Sequence, residues 1–429
     1  MWKKYIQKRL ERYVQRYFKE HSQVKLVVIT GSVGKTSTKL AIGTVLNEQY
    51  RVRMDENNHN TELSAPLGIL GIEYPTKVRS VRAWRTVFKA AKLRIKGPMD
   101  VDVIVQELGT DHPGDIASFG RYLRPDLAVV TAVTPEHMEF FKTMDAVAQE
   151  ELSVSSFSKY TLINSDDVSG QYADFETSPN FSTYGVSEMA EYRMAINSFD
   201  LEHGYACTAY GPTFPQPFAV NAHVLGEHSL RPVAAAISVA GALATLPQRI
   251  ASGVDKIRPA PGRMNLLRGI NDTWIIDDSY NSSPAAALGA LRTLYDVFGS
   301  APQRIAVFGD MRELGASSQA EHQALGANCR GDKLAWVVTV GPESEKFLAP
   351  AARANGCQVQ SAPDAISAAE FVRSVTENGA AILIKGSQND IYLEEAVKDL
   401  CLMSEDVKLV RQSPEWLERK QRYFDNLQK

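Results

Sequence analysis

Apolar and polar positions along the first part of the chain follow the periods of helices and strands in turn. Residues 1–22 repeat apolar side chains every three or four positions, which predicts an amphipathic helix. Residues 25–30 are apolar between their two ends, which is typical of a buried strand. A glycine-containing turn follows, and a second helix is predicted from about Lys35. The apolar stripe of the first helix comprises Trp2, Ile6, Leu10, Tyr13 and Tyr17, widened by Tyr5, Val14 and Phe18.

Short apolar runs then recur between helical or loop stretches, at 101–106, 127–133 and 160–163. This alternation indicates a mainly parallel sheet that is covered by helices. Proline, glycine and charged residues cluster at 245–262, and such a change in composition favours a domain boundary there.

Beyond the boundary the alternation restarts and predicts a second, Rossmann-like α/β domain that lacks the Gly-x-Gly-x-x-Gly motif. We therefore divide the chain into an N-terminal helix at 1–23, a central domain at 24–258 and a C-terminal domain at 259–429. In the last domain, strands are predicted at 273–277, 304–308, 335–340 and 381–384, and helices at about 284–297, 317–328, 364–377 and 391–401.

The composition is that of a folded protein. The 429 residues are 44% hydrophobic and 23% charged, which excludes a disordered, collagen-like or low-complexity chain. No apolar run approaches the roughly 18 residues of a membrane-spanning helix, and the N-terminus lacks the apolar core of a signal peptide. The four cysteines lie far apart without metal-binding spacing, which predicts reduced thiols in a cytosolic protein.

The net charge of −3 is distributed unevenly. Residues 1–97 hold 20 Lys and Arg against 7 Asp and Glu, whereas the remainder holds 27 against 43. Two predicted basic amphipathic helices, 1–22 and 77–96, suit an anionic membrane surface. The alternative is that their basic faces are simply solvated or meet an acidic protein partner. No nucleic-acid-binding module accompanies them, so we expect no specific nucleic acid binding.

The most informative motif is Ile-Thr-Gly-Ser-Val-Gly-Lys-Thr-Ser at residues 29–37, between the predicted strand and helix. This is the context of a phosphate-binding loop, in which backbone N–H groups surround an anion and a lysine reaches the β- and γ-phosphates. A hydroxyl after the lysine can ligate Mg²⁺. Ile29 stands where the general pattern has glycine, so this is the shorter variant of the loop. The predicted ATP contacts are Gly31, Ser32, Val33, Gly34, Lys35, Thr36 and Ser37.

The variant loop resembles that of the Mur ligase family, ATP-dependent enzymes that join an amino acid or a peptide to a carboxylate. Further segments resemble the family in the same order along the chain, from about residue 24 to 400. The C-terminal segments resemble most closely the MurF branch, which adds D-alanyl-D-alanine to a UDP-muramoyl tripeptide. The matching segments are 58–60, 66–68, 107–114, 125–131, 135–138, 261–264, 277–284, 307–315 and 385–387.

The resemblance implies an α/β fold, with a P-loop ATPase domain followed by a Rossmann-like domain, and catalysis through an acyl phosphate with ATP and two Mg²⁺ ions. The implied catalytic residues are Lys35, His137, Glu151 and Arg263, and the implied metal ligands are Thr36, Glu107, His137 and Glu151. The implied nucleotide contacts in the C-terminal domain are Asp278, Tyr280 and Asn281. The implied substrate contacts are Asn58, Asn60, Lys385 and Ser387.

Glu151 marks a departure from the family. The family usually holds its second metal ion with a carbamylated lysine soon after the histidine, and alignment places Glu151 at that position. No lysine lies between Lys142 and Lys159. Because glutamate is already anionic and bidentate, our hypothesis is that Glu151 replaces the carbamate without CO₂. Glu150 is the alternative one position away, and an unrelated solvated glutamate is the other.

MurF-type enzymes begin with a UDP-binding domain, whereas one predicted helix precedes the phosphate loop here. We therefore expect a MurF-like ligase that joins an amino acid or dipeptide to a cell-wall precursor carboxylate, with an altered mode of acceptor binding. A ligase for another polymer or for a lipid-linked acceptor is one alternative, and a degenerate ligase that acts as a membrane-associated scaffold is another. We expect a cytoplasmic protein, with a peripheral position at the inner face of the membrane as the alternative.

Overall fold

The structure, a computed structural model, describes residues 2–55, 59–388, 390–403 and 407–427. Their contacts divide the chain into two compact units. The first unit comprises Met1–Thr134, Phe140–His223 and Leu230–Ile257. The second comprises Pro135–Glu139, Val224–Ser229 and Arg258–Lys429.

The elements up to residue 257 alternate between helices and strands before they end in antiparallel strands and two helices. In chain order they are α1 (Trp2–Glu20), β1 (Lys25–Thr30), α2 (Lys35–Leu46), β2 (Val52–Met54), α3 (Ala65–Leu70), α4 (Val81–Lys96), β3 (Val103–Glu107), α5 (Asp115–Phe119), β4 (Leu127–Val130), α6 (Met138–Phe141), α7 (Met144–Leu152), β5 (Thr161–Asn164), β6 (Phe181–Gly185), β7 (Tyr192–Asp200), β8 (Gly204–Tyr210), β9 (Phe218–Ala222), α8 (Leu230–Ala242) and α9 (Pro247–Asp255).

The nine strands of the first unit form one sheet in the order β2-β3-β1-β4-β5-β6-β7-β8-β9. Strands β2 to β7 are parallel, and β7, β8 and β9 pair antiparallel. All residues of β3, β4 and β5 are buried, which explains their continuous apolar sequences. The predicted, mainly parallel sheet is confirmed, whereas the antiparallel strands at its edge were not predicted.

Helices α1 and α4 pack through aromatic side chains. The ring centroids of Tyr13 and Phe88 lie 6.0 Å apart, and the Arg9 guanidinium lies 4.3 Å above the Phe88 ring. The basic segment predicted as a helix at 77–96 becomes helical only at Val81, because Ser80 adopts an extended conformation and its hydroxyl accepts a hydrogen bond from Ala83 N at 3.3 Å. Such a cap satisfies one of the free N–H groups at the start of a helix.

The second unit repeats the α/β pattern on a smaller sheet in the order β10-β11-β15-β12-β13-β14, parallel except for β10. Its elements are β10 (Asn265–Arg268), β11 (Trp274–Asp278), α10 (Pro284–Val297), β12 (Arg304–Gly309), α11 (Ser318–Asn328), β13 (Trp336–Val340), α12 (Ala349–Ala354), β14 (Val359–Ala362), α13 (Ala365–Val375), β15 (Ala381–Lys385), α14 (Glu394–Leu400) and α15 (Pro414–Leu427).

The core of the second unit lies between this sheet and helices α13 and α14, where aliphatic side chains such as Ile305, Val338 and Val397 are buried. The predicted Rossmann-like domain is therefore confirmed as a fold. All four cysteines are free and buried, and burial raises the pKa of Cys207 to about 11, which keeps its thiol protonated at neutral pH. Among the described residues, no helix is long and apolar enough to span a bilayer.

Candidate active site

The phosphate loop follows β1 and leads directly into α2. Gly31 and Gly34 both have positive φ, at 123° and 89°, a backbone conformation that glycine adopts without steric cost. A Cβ on Gly31 would also overlap Thr131 Oγ1 and would lie 2.8 Å from Ala132 N. Glycine at position 31 is therefore required both for the turn and for the close approach of the neighbouring strand end.

Polar side chains after β4 hold the loop in shape. Thr131 Oγ1 donates to Val33 O at 2.6 Å, and Ser32 N donates to Ala132 O at 3.0 Å. The Ser32 hydroxyl in turn accepts from Thr134 N at 2.8 Å. The loop is thus fixed by its neighbour in the sheet, in the geometry that a helix N-terminus needs to bind an anion.

The two residues predicted to meet the phosphates and Mg²⁺ begin α2. Lys35 folds back, and its Nζ donates to Gly31 O at 2.5 Å. Thr36 Oγ1 donates to Glu107 Oε2 at 3.1 Å. Glu107 is the last residue of β3 and pairs in register with Ile29 at the end of β1, so the sheet itself brings this carboxylate to the loop.

Glu107 is 3% exposed and has two further partners. Lys39 Nζ lies 3.7 Å from Glu107 Oε2, and Asn60 Nδ2 donates to Glu107 Oε1 at 3.2 Å. Lys39 is itself 2% exposed, so this is a buried ion pair one turn into α2. The sequence reasoning missed Lys39, although its position four residues after Lys35 places both lysines on one face of the helix. The predicted substrate residue Asn58 lies outside the described residues.

Glu151 and Glu150 are both buried on α7, yet they point to different parts of the unit. Glu151 Oε2 accepts hydrogen bonds from Gly31 N, at 2.7 Å, and from Thr30 Oγ1. Glu150 instead accepts from Gly114 N at 2.7 Å and Ile116 N at 2.6 Å, which caps the start of α5. Of the two glutamates, the structure places Glu151 at the phosphate loop.

His137 belongs to the second unit, where its Nδ1 lies 3.1 Å from Glu313 Oε2. The hydrogen bond from His137 holds the pKa of Glu313 below its usual value. Within the described part of the chain, no three His, Cys, Asp or Glu side chains form a cluster that could hold a metal ion. The predicted ligand Glu107 is nevertheless adjacent to the Thr36 hydroxyl, and Mg²⁺ prefers such oxygen donors. The chemistry of this pair therefore fits Mg²⁺.

The predicted nucleotide and substrate residues of the second unit meet at the ends of β11 and β15. Asp278 and Lys385 pair in register, and Lys385 Nζ lies 2.6 Å from Asp278 Oδ2 and 3.0 Å from Asn281 O. Lys385 is 1% exposed. Ser387 Oγ accepts from Arg312 N at 3.1 Å. Lys385 and Ser387, predicted as substrate contacts, are thus buried beside the predicted nucleotide contacts.

Two arginines lie near the ring of Tyr280. The guanidinium of Arg263 is 4.0 Å from the centre of this ring, and that of Arg411 is 5.7 Å away. Neighbouring Asp277 is buried, which raises its pKa to about 6, although the hydroxyl and N–H of Ser279 oppose the shift. Arg411 was not found from the sequence.

Comparison with known proteins identifies the family. The family model of the Mur ligase middle domain matches residues 29–240, and that of the Mur ligase glutamate ligase domain matches residues 262–388. Together the two matches span more than three quarters of the chain. The chain belongs to the Mur ligase family.

Individual relatives of this Mur ligase agree. It is 28% identical over 403 residues to UDP-N-acetylmuramoyl-tripeptide–D-alanyl-D-alanine ligase of Bacillus subtilis, covering 91% of this chain and 79% of the relative. Its fold is similar to that of MurF from Acinetobacter baumannii, with a TM-score of 0.74, 21% identity, and coverage of 91% and 79%. It is also similar to MurF from Thermotoga maritima in complex with ADP, with a TM-score of 0.73, 23% identity, and coverage of 91% and 82%.

Family membership confirms two predictions from the sequence. The chain has the Mur ligase fold, and it belongs to a family of ATP-dependent ligases. The individual residue roles in this Mur ligase stay predictions. The family-model match in the second unit ends at residue 388, so Arg411 lies beyond the matched segment.

The Glu150 cap yields a stability prediction for this Mur ligase. Glu150→Ala removes a buried acceptor and leaves the N–H groups of Gly114 and Ile116 unsatisfied, so we expect the free energy of unfolding to fall by about 2–4 kcal/mol. Urea unfolding measures this change. The matched control is Glu20→Ala at an exposed position, where the expected change is within about 0.5 kcal/mol. Equal stability of the two variants would contradict the capping role.

Proposed function

We propose that this Mur ligase uses ATP to activate a carboxylate of a cell-wall precursor as an acyl phosphate, which the amine of an amino acid or dipeptide then attacks. D-Alanyl-D-alanine is the proposed amine, because the Bacillus subtilis relative is named for that substrate. The observation that carries the proposal is the phosphate loop with the start of α2, where the Thr36 hydroxyl meets the buried Glu107 carboxylate, which also pairs with Lys39.

These residues suit the chemistry for electrostatic reasons. An ionised carboxylate is a poor electrophile, and bringing it to the γ-phosphate places two anions side by side. Backbone N–H groups of the loop and the Lys35 ammonium offset that charge. We propose that Thr36 and Glu107 hold Mg²⁺, which supplies further neutralisation of the phosphates when bound.

Glu151 is proposed to do the work of the family's carbamylated lysine. It is 2% exposed and accepts a hydrogen bond from Gly31 N, so its negative charge lies at the first residue of the loop. A carbamate forms only when CO₂ reacts with an unprotonated lysine, whereas the carboxylate of a glutamate is part of the side chain and needs no reaction with CO₂. Glu150, the alternative, is occupied by the cap of α5.

In the second unit, we propose that Asp278, Tyr280 and Asn281 contact the nucleotide and that Arg263 meets its phosphates. The arginine lies against the Tyr280 ring, which supports a shared role. Lys385 is proposed to act near the amine substrate, although its ammonium is held by Asp278. His137 is proposed as a further metal ligand, with Glu313 orienting its ring through Nδ1.

We also propose a cytoplasmic protein that associates peripherally with an anionic membrane surface. Twelve basic residues on α1 and in 77–96 are exposed and make no ion pair among the described residues, whereas Lys3 and Arg94 pair with acidic residues. The exposed rings of Trp2 and Tyr5 stack 5.9 Å apart at the start of α1. The apolar faces of both helices are buried within the first unit, so the proposal rests on these charges and on the two rings, and the attraction would be mainly electrostatic. Membrane association also favours a lipid-linked acceptor as the second candidate substrate. The basic residues are Lys4, Lys8, Arg12, Arg16, Lys19, Lys77, Arg79, Arg82, Arg85, Lys89, Lys92 and Lys96.

Lys35→Ala tests the ATP site. We expect phosphate release in the presence of acceptor and D-alanyl-D-alanine to fall by roughly 10²-fold or more, because the variant removes a charge that faces the phosphates. The assay compares UDP-muramoyl tripeptide with lipid-linked peptides as acceptors. Lys346→Ala, at an exposed position, is the control and should retain activity. Unchanged turnover of Lys35→Ala would refute the assignment.

Glu151 is tested by removing its charge and by removing CO₂. Stripping bicarbonate should leave the wild-type rate unchanged, since no carbamate is needed. Glu151→Gln keeps the size of the side chain but removes the charge, so both kcat and the apparent affinity for Mg²⁺ should fall. Glu151→Lys should make any remaining activity dependent on bicarbonate. Full activity of Glu151→Gln would show that the carboxylate is a bystander, and Glu150 would be tested next; a bicarbonate requirement in the wild type would also contradict the proposal.

Vesicle binding tests the membrane proposal. Replacing Lys8, Arg12 and Arg16 by glutamine should weaken binding to phosphatidylglycerol vesicles by roughly 10²-fold, at about 1 kcal/mol per charge. The control replaces the exposed Arg292, Lys346 and Arg353 by glutamine, which changes the net charge equally. Added salt should weaken wild-type binding. Equal binding of the two triple variants to phosphatidylglycerol vesicles would contradict the proposal. Wild-type binding to neutral phosphatidylcholine vesicles that is as strong as binding to phosphatidylglycerol vesicles would contradict it too.

A further inference from the structure

The segment after α14 returns to the loop that follows β11. The Arg411 side chain is 6% exposed, and its guanidinium donates to two consecutive carbonyls of that loop. Nη2 reaches Ser279 O at 2.9 Å, and Nη1 reaches Tyr280 O at 3.0 Å. The planar guanidinium thereby holds the backbone on which Tyr280 and Asp278 are displayed.

A buried carboxylate fixes the other side of the same guanidinium. Arg411 Nε and Nη2 donate to the two oxygens of Glu394, at 2.8 and 2.7 Å, and Glu394 is completely buried. This bidentate pair fixes the plane of the guanidinium as well as its charge. Arg411 therefore has one orientation, with Glu394 on one edge and the carbonyls on another.

Helix α15 anchors this arrangement. Lys420, 3% exposed, places Nζ 3.5 Å from Glu394 Oε1 and also pairs with Glu395. Further along the helix, the Tyr423 ring lies 5.2 Å from that of the fully buried Tyr392. We call residues 407–427 the C-terminal strap. The contacts of Lys420 and Tyr423 thus attach the strap to residues just before and just after Glu394 in the sequence.

The strap also contacts the chain just before β10. A Cβ on Gly262 would lie 2.9 Å from Val410 Cγ1 and 3.0 Å from Tyr280 N, so strap, glycine and loop are in close contact. Gly262 O accepts from Tyr280 N at 2.9 Å, and the adjacent Arg263 covers the Tyr280 ring. The strap thus packs on the same backbone that carries the proposed nucleotide contacts Asp278 and Tyr280.

We propose that Arg411 is a positioning residue for nucleotide binding. It is held by Glu394 and by the rest of the C-terminal strap, and it sets the shape of the 278–281 loop. This inference rests on the proposed function, because that proposal assigns the loop to ATP. A bidentate buried pair with bonds to two loop carbonyls constrains one backbone conformation. Losing those bonds releases the loop without removing any group that contacts the reacting atoms.

The test separates ATP affinity from turnover. Arg411→Ala should raise the KM for ATP about tenfold, because hydrogen bonds to a charged group are lost, and should change kcat much less. Arg411→Lys keeps the charge but loses the bidentate geometry, so its KM should lie between those of wild type and Arg411→Ala. Binding of a fluorescent ATP analogue should weaken in the same order.

The control distinguishes positioning from general destabilisation. Val372→Ala shortens a fully buried side chain of α13 in the same unit, so it should lower the melting temperature while leaving the KM for ATP unchanged. Where Arg411→Ala does not fold, Arg411→Lys and Glu394→Gln carry the test. A wild-type KM in folded Arg411 variants would overturn the positioning role alone. A wild-type protein that neither binds nor turns over ATP would overturn the proposed function and the positioning role together.

Discussion

The candidate site of the first unit depends on two buried carboxylates, Glu107 and Glu151, which lie at the end of β1 beside the glycine turn. Each must have a hydrogen-bond or ion-pair partner for the site to form. Glu151 is satisfied by Gly31 N–H, and Glu107 by the Thr36 hydroxyl and Lys39. An unpaired buried carboxylate costs several kcal/mol, so these partners are required for the fold. The resting site is therefore internally neutralised.

These charge pairs form only if the strands beside the loop are in the correct register. Glu107 reaches the loop only because β3 is hydrogen-bonded to β1, with Glu107 opposite Ile29. A one-residue slip in a strand would turn the carboxylate to the other face of the sheet. The tight contact of Gly31 with Thr131 fixes the remaining neighbour, β4. The register of the sheet therefore determines which charged groups meet at the site.

Local sequence was sufficient for features that are encoded locally. The phosphate loop, the start of α2 at Lys35 and the parallel strands follow from short motifs and apolar runs. In the antiparallel β7–β9 edge, which was missed, β8 and β9 alternate between more and less buried residues, whereas β7 loses this alternation from Ile196, where its register is irregular. Arg411 could not be predicted, because its carbonyl partner Tyr280 lies 131 residues earlier and no motif links such distant positions. The basic helix was placed four residues too early because the Ser80 cap was overlooked.

Each unit places a buried acid and a buried base at the carboxyl end of its parallel strands, where α/β folds bind ligands. In the first unit the pair is Glu107 with Lys39, and in the second it is Asp278 with Lys385. Truncating one member leaves the other charge buried and unpaired, which typically costs about 3–5 kcal/mol. Activity lost in an alanine variant at such a position therefore mixes catalysis with folding. Conservative substitutions that keep the charge, read through separate binding and turnover measurements, are what can separate the two effects.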